Sequence, residues 1–144
     1  MPQDYSIDSL TEQDQSRLEE QRAVVYGYVQ GVDEEVKNSV QGKLSILNSI
    51  LKSNVIDPSE TYVLQSLGIV FGDAFAQQLE CDWVMVNDEY GRDPALGFEG
   101  STVLIYPLTM ISKRVEDGED FDVIELFSGV ARLTLEQLAE EDPI

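Results

Sequence analysis

The chain has no histidine, one cysteine and few bases, and each shortage removes a class of chemistry. Without histidine there is no imidazole general base, no Ser/His or Cys/His nucleophile pair and no His-based metal site. Acid–base work would fall to carboxylates, tyrosines, lysines or the single thiol. Cys81 cannot form an intramolecular disulfide, and no neighbouring base lowers its pKa, so a structural thiol in a reducing compartment is expected. Lys and Arg together number 9 against 28 Asp and Glu, a net charge of −19. Phosphate-backbone binding needs exposed bases, so nucleic acid is excluded as an expected partner. An acidic surface suits a basic protein partner, and it also suits adaptation of a whole proteome to salt. No apolar run approaches the ~18 residues of a membrane span, and the start Met1-Pro2-Gln3-Asp4 has no basic flank before an apolar stretch. A cytoplasmic protein with no membrane contact is the expectation.

What is present is enough apolar sequence for a core. Hydrophobic residues make up 42% of 144, a common size for one domain. Ser9-Leu10-Thr11-Glu12 reads as a capping box opening a helix over 12–30, with Leu18, Val25, Val29 and Val32 on one face and Gly31 as its stop. A second helix is predicted over 33–53, where Val36, Val40, Leu44, Leu47 and Leu51 recur at helical spacing. The clearest covers 60–80: Leu64, Leu67, Val70, Phe71, Ala74, Phe75 and Leu79 form a broad stripe. Gly68 and Gly72 lie four apart on it and permit close approach of another element.

The period then changes. Trp83–Val86 reads as a buried strand, followed by a solvated turn over 87–93, a short strand at 95–99 and a third at 101–106. Pro107 opens a short helix stopped at Gly118, and a last helix starts near Asp120 or Asp122. The prediction is one α+β domain over 1–144, about five helices on a three-stranded antiparallel sheet at residues 82–106, covered by helices 60–80 and 122–138.

Within this frame Leu67-Gly68, Phe71-Gly72-Asp73, Trp83, Asp88-Glu89-Tyr90-Gly91-Arg92-Asp93-Pro94, Tyr106-Pro107 and Ile111-Ser112-Lys113-Arg114-Val115-Glu116 stand together, with Gln21-Arg22 upstream. In these motifs, over roughly residues 60–130, the chain resembles a bacterial family called domain of unknown function 3806. The resemblance implies a bacterial, cytoplasmic α+β domain and carries no activity, cofactor or catalytic residue with it.

The turn at 87–93 is rich in acids but misses the calcium-loop spacing: Gly91 is fifth from Asn87, and the twelfth position is Phe98. Carboxylate pairs drawn from Asp73, Asp82, Asp88, Asp93 or Glu99 have no spacing that selects two of them. No metal site, cofactor or catalytic residue is assigned. The binding candidates are Trp83, Asp88, Tyr90, Arg92, Asp93, Tyr106, Lys113 and Arg114. Lys113-Arg114 would serve either as a small anion or carboxylate site or as the cationic end of a helix facing the acidic run 116–125. Two functions compete: a non-enzymatic protein that binds another through an acidic and aromatic surface, and a small carboxylate-based hydrolase or ligand-binding enzyme with a pocket beside the sheet. Oligomeric state is not encoded in any pattern here.

Overall fold

Thr11, two residues beyond the expected cap, opens the first helix of the computed structural model, which describes residues 4–141. Its hydroxyl accepts from the Asp14 backbone N–H at 3.1 Å, and the Asp14 carboxylate accepts from the Thr11 N–H at 2.9 Å. Ser9 and Glu12 have the same spacing. The Thr11 box wins because Asp14 simultaneously takes both arms of Arg92. Helix α1 (Glu12–Tyr26) ends at Gly27, short of Gly31; Val29 and Val32 still pack on the core from the following turn.

The predicted helix over 33–53 is two helices, α2 (Glu34–Asn38) and α3 (Val40–Lys52). Ser39 breaks them with extended backbone (ψ 152°), and its hydroxyl caps α3 by accepting from Gly42 N–H at 2.9 Å. The corner is tight enough that a β-carbon on Gly42 would lie 1.8 Å from the Val36 carbonyl oxygen. Helix α4 (Thr61–Leu79) follows its prediction closely and is the central buried element, with Leu64, Leu67, Val70, Phe71, Ala74 and Phe75 excluded from solvent. Helices α1, α3 and α5 (Met110–Glu116) surround it.

The sheet is antiparallel and has four strands, one more than expected, in the order β1-β2-β3-β4. The extra strand, β1 (Ser6–Asp8), pairs with β2 (Asp82–Asp88) at the edge. β2 and β3 (Gly91–Gly97) form a hairpin whose register runs from Asp82 opposite Gly97 to Asp88 opposite Gly91. The turn therefore shrinks to Glu89-Tyr90, and Arg92, Asp93 and Pro94 belong to a strand rather than to a solvated loop. The third expected strand is reduced to β4 (Leu104–Ile105). A 3-10 turn (Pro107–Thr109) leads into α5, and α6 (Val123–Glu141) packs on α3 and α4 rather than covering the sheet.

Alternation along the strands divides the sheet into two faces. Trp83, Leu96 and Ile105 face the helices, where Leu96 and Ile105 join the core. Ile7, Val86, Asp93 and Ala95 face the other way. No helix among the described residues is long and apolar enough to cross a membrane.

Candidate functional site

The family-like motifs converge on α4. Asp73 projects from its second half, and its carboxylate is held by three donors: Arg22 Nε at 2.7 Å, Arg22 Nη2 at 2.8 Å and Trp83 Nε1 at 2.9 Å. A planar guanidinium matches a carboxylate through two parallel bonds, so this contact fixes orientation as well as charge. One residue earlier, Gly72 makes room for the Trp83 ring: a β-carbon there would stand 2.4 Å from the indole and 2.8 Å from Pro107 Cγ. Gly68 does the same for the backbone of the 3-10 turn, with the Leu108 carbonyl oxygen 2.4 Å from its virtual β-carbon. Arg22, Gly68, Gly72-Asp73, Trp83 and Pro107 thus describe one junction of α1, α4, β2 and the 3-10 turn.

Next to it lies Lys43, buried on α3, whose ammonium donates to Gln77 Oε1 at 3.1 Å. Burial pushes this lysine below its ordinary pKa; Arg22 adds to the push and Asp73 opposes it. Gln77 in turn donates to the Asn38 carbonyl at 2.9 Å. The half-buried Tyr26 phenol is raised by its burial and then by the Asp73 charge, and Lys37 Nζ stands 5.4 Å over its ring. Among the described residues no buried side-chain nitrogen or oxygen in this region lacks a hydrogen-bond partner. Such a polar network holds α1, α3, α4 and β2 together.

The outward face of the sheet is different. Tyr106, two residues beyond Leu104, stands on it near Asp88, Asp93 and Tyr5; burial raises its phenol, and the charge of Asp88 adds to that. Val86 and Ala95 beneath are buried, so a visitor meets phenols and carboxylates over a closed apolar floor. Tyr90 extends from the hairpin tip with 86% of its surface exposed, the Asp88 carboxylate fixing the turn by accepting from the Tyr90 N–H at 2.8 Å.

Of the eight candidates, then, the structure brings Asp88, Asp93 and Tyr106 onto one face, with Tyr90 at its tip. Trp83 and Arg92 turn to the helix side, Trp83 against Gly72 and Arg92 onto Asp14 with both bonds at 2.7 Å. Lys113 and Arg114 sit apart on α5. Lys113 is exposed, and Arg114 Nη1 donates to the Met110 carbonyl at 3.0 Å in the manner of a cation at a helix C-terminus. Sequence reasoning missed Tyr5, Asp14 and Lys43. Tyr5 and Asp14 lack a local pattern; Lys43 had one available signal, a cation inside the apolar run of α3.

A cleft of about 530 Å³ opens between residues 53–60 and 117–122, away from the sheet, floored by Ile56, Leu64 and Phe121 and edged by Asp57 and Glu119. Among the described residues no three Asp, Glu or Cys side chains gather closely enough to hold a metal ion. Cys81 is buried, and desolvation followed by the Asp82 charge lifts its thiol to about 11, leaving it a poor nucleophile.

No curated protein matches the chain. A crystal structure at 1.50 Å of a protein from Bacteroides thetaiotaomicron VPI-5482 shares the fold, with a TM-score of 0.70 at 15% identity. The match covers 90% of this chain and 48% of that one, so the chain spans about half the length of its structural relative. The family model described as "Domain of unknown function (DUF3806)" matches residues 43–127, which contain the whole of α4, the β2–β3 hairpin, β4 and α5, and the chain belongs to that family.

Proposed function

We propose that this protein acts without catalysis, by binding a basic protein through the outward face of its sheet. The observation that carries the reading is the grouping of Tyr106 with Asp88 and Asp93 beside the exposed Tyr90, on a face from which Arg92 is turned away. Aromatic side chains give contact area at low entropic cost, and an acidic rim steers a cationic partner and rejects acidic ones. Arg22, Arg92 and Lys37 are engaged by carboxylates of the chain, and Lys43 is buried, which leaves the surface more uniformly negative than the composition alone requires. A bacterial, cytoplasmic setting fits the family resemblance and the unpaired, buried thiol.

The test is capture from a bacterial lysate at 0.05 and 0.5 M salt, comparing the native chain with an Asp88→Asn, Asp93→Asn, Tyr106→Ser triple variant. A basic protein, identified by mass spectrometry, should be retained by the native chain at low salt and lost both at high salt and with the variant. Equal retention by the variant would move the site elsewhere, and retention of acidic proteins alone would end the reading.

A further inference from the structure

The two edges of the sheet are treated differently. At one, the segment entering β4 is latched by Glu141 at the end of α6, whose carboxylate accepts from the Ser101 hydroxyl at 2.7 Å and the Thr102 N–H at 3.2 Å. At the other, β1 is outermost in the strand order, and Ser6, Ile7 and Asp8 are all exposed. Among the described residues no strand pairs with its far side. In an antiparallel strand half of the backbone N–H and C=O groups point away from the partner, and here they point to solvent.

Proteins guard such an edge by shortness, lysine, proline or a bulge, and of these β1, three residues long, has only the first. Its guard is acidic: Asp8 lies within the strand and Asp4 just before it, with Asp88 and Asp93 on the adjoining outward face. Ile7 shares that face with Val86 and Asp93 and is 45% exposed, an apolar contact beside the carboxylates. Acidic guarding is selective. It repels a second copy of this chain, which carries −19, while a basic strand is attracted to it.

We infer that the basic partner engages this protein by strand addition, laying an extended segment of alternating basic and apolar residues along the free edge of β1. The inference rests on the proposed acidic binding face and adds the mode of recognition. Main-chain bonds to β1 supply affinity that does not depend on side chains; Ile7 takes an apolar residue on the outward face, and the alternate residues turn their bases to the opposite face, where Asp8 lies.

The experiment uses the full chain labelled with ¹⁵N and two nonapeptides, one alternating Lys and Val and one with its central Val and the following Lys replaced by Pro-Pro, so that one missing N–H must face β1. The expected result is amide shifts at Ser6–Asp8 with the first peptide and a dissociation constant that weakens several-fold from 0.02 to 0.2 M salt. Binding should be at least tenfold weaker for the proline peptide, and for the native peptide against an Ile7→Lys variant. Equal binding of both peptides, with shifts only at Asp88, Asp93 and Tyr106, would remove strand addition and leave the acidic face standing. Absence of shifts at both places would remove both. Shifts at Ser6–Asp8 that grow with protein concentration alone would show the edge pairing with its own copy and overturn the choice of partner.

Discussion

Gly72 shows how one missing methyl positions a tryptophan. By helix propensity alone, Gly72→Ala should stabilise α4 by roughly 1 kcal/mol. The added carbon would instead meet the Trp83 ring at 2.4 Å, and that ring cannot swing away freely because its Nε1 is bonded to Asp73. The substitution should therefore lower the melting temperature, and Gly72→Leu should cost about 1–3 kcal/mol by overpacking. Phe71→Ala tests the opposite fault. Phe71 meets Phe75 edge-on at a ring separation of 4.9 Å and Phe127 at 6.1 Å, in the fully buried centre of the fold. Its removal should cost about 3–5 kcal/mol in urea denaturation, through lost burial and the cavity left behind. An unchanged or raised midpoint for Gly72→Ala would mean that the indole does not press on the helix as described.

Among the elements, those with a long and regular pattern were legible in the sequence. The apolar stripe of α4 runs from Leu64 to Leu79, about four turns, and Pro107 correctly announced the start of a helical segment. β1 was invisible because Ser-Ile-Asp is too short to show alternation; it exists because β2 offers it an edge. The break at Ser39 was hidden because Val36, Val40 and Leu44 keep helical spacing across it, although Ser39 with Gly42 three residues on spells a cap followed by a close approach. Pro94 argued for a loop yet lies in β3 opposite Met85, at a point where β4 does not reach, so its missing N–H leaves no ladder bond unmade. The outward face was half legible: its residues were named, but which of them share a side depends on a hairpin register that no local pattern fixes. At this scale α1 offers a test. The guanidinium of Arg92, then the Thr11 N–H, hold the Asp14 carboxyl well below the usual carboxylate range. A carboxylate whose folded pKa is depressed adds stability above its unfolded value of about 3.9, and that contribution is lost as pH falls below it. Arg92→Gln should thus be less stable than the native chain at pH 7, with the difference in melting temperature narrowing between about pH 4 and pH 2. A difference constant across that range would show that the ion pair does not carry the effect.

For the molecule as a whole, self-repulsion at −19 opposes the compact state, and most of that charge is on the surface. Raising sodium chloride from 0.02 to 0.5 M at pH 7 should raise the melting temperature by several degrees, since screening relieves repulsion among many exposed acids and weakens only a few pairs. A fall would mean that the internal ion pairs outweigh the surface field. Those pairs also have a consequence for how the molecule comes apart. Helix α1 lies outside the matched segment 43–127, and its only fully apolar buried side chains are Leu18 and Val25. Besides its packing on α4 it is fastened by two guanidinium forks, Arg22 on Asp73 and Arg92 on Asp14. An element held by so few buried apolar side chains, with charge supplying the rest, is the natural first unit to open while the remainder stays folded. Because Arg22 and the chain's single tryptophan share one carboxylate, that opening would be reported by indole fluorescence before any other part of the fold had moved.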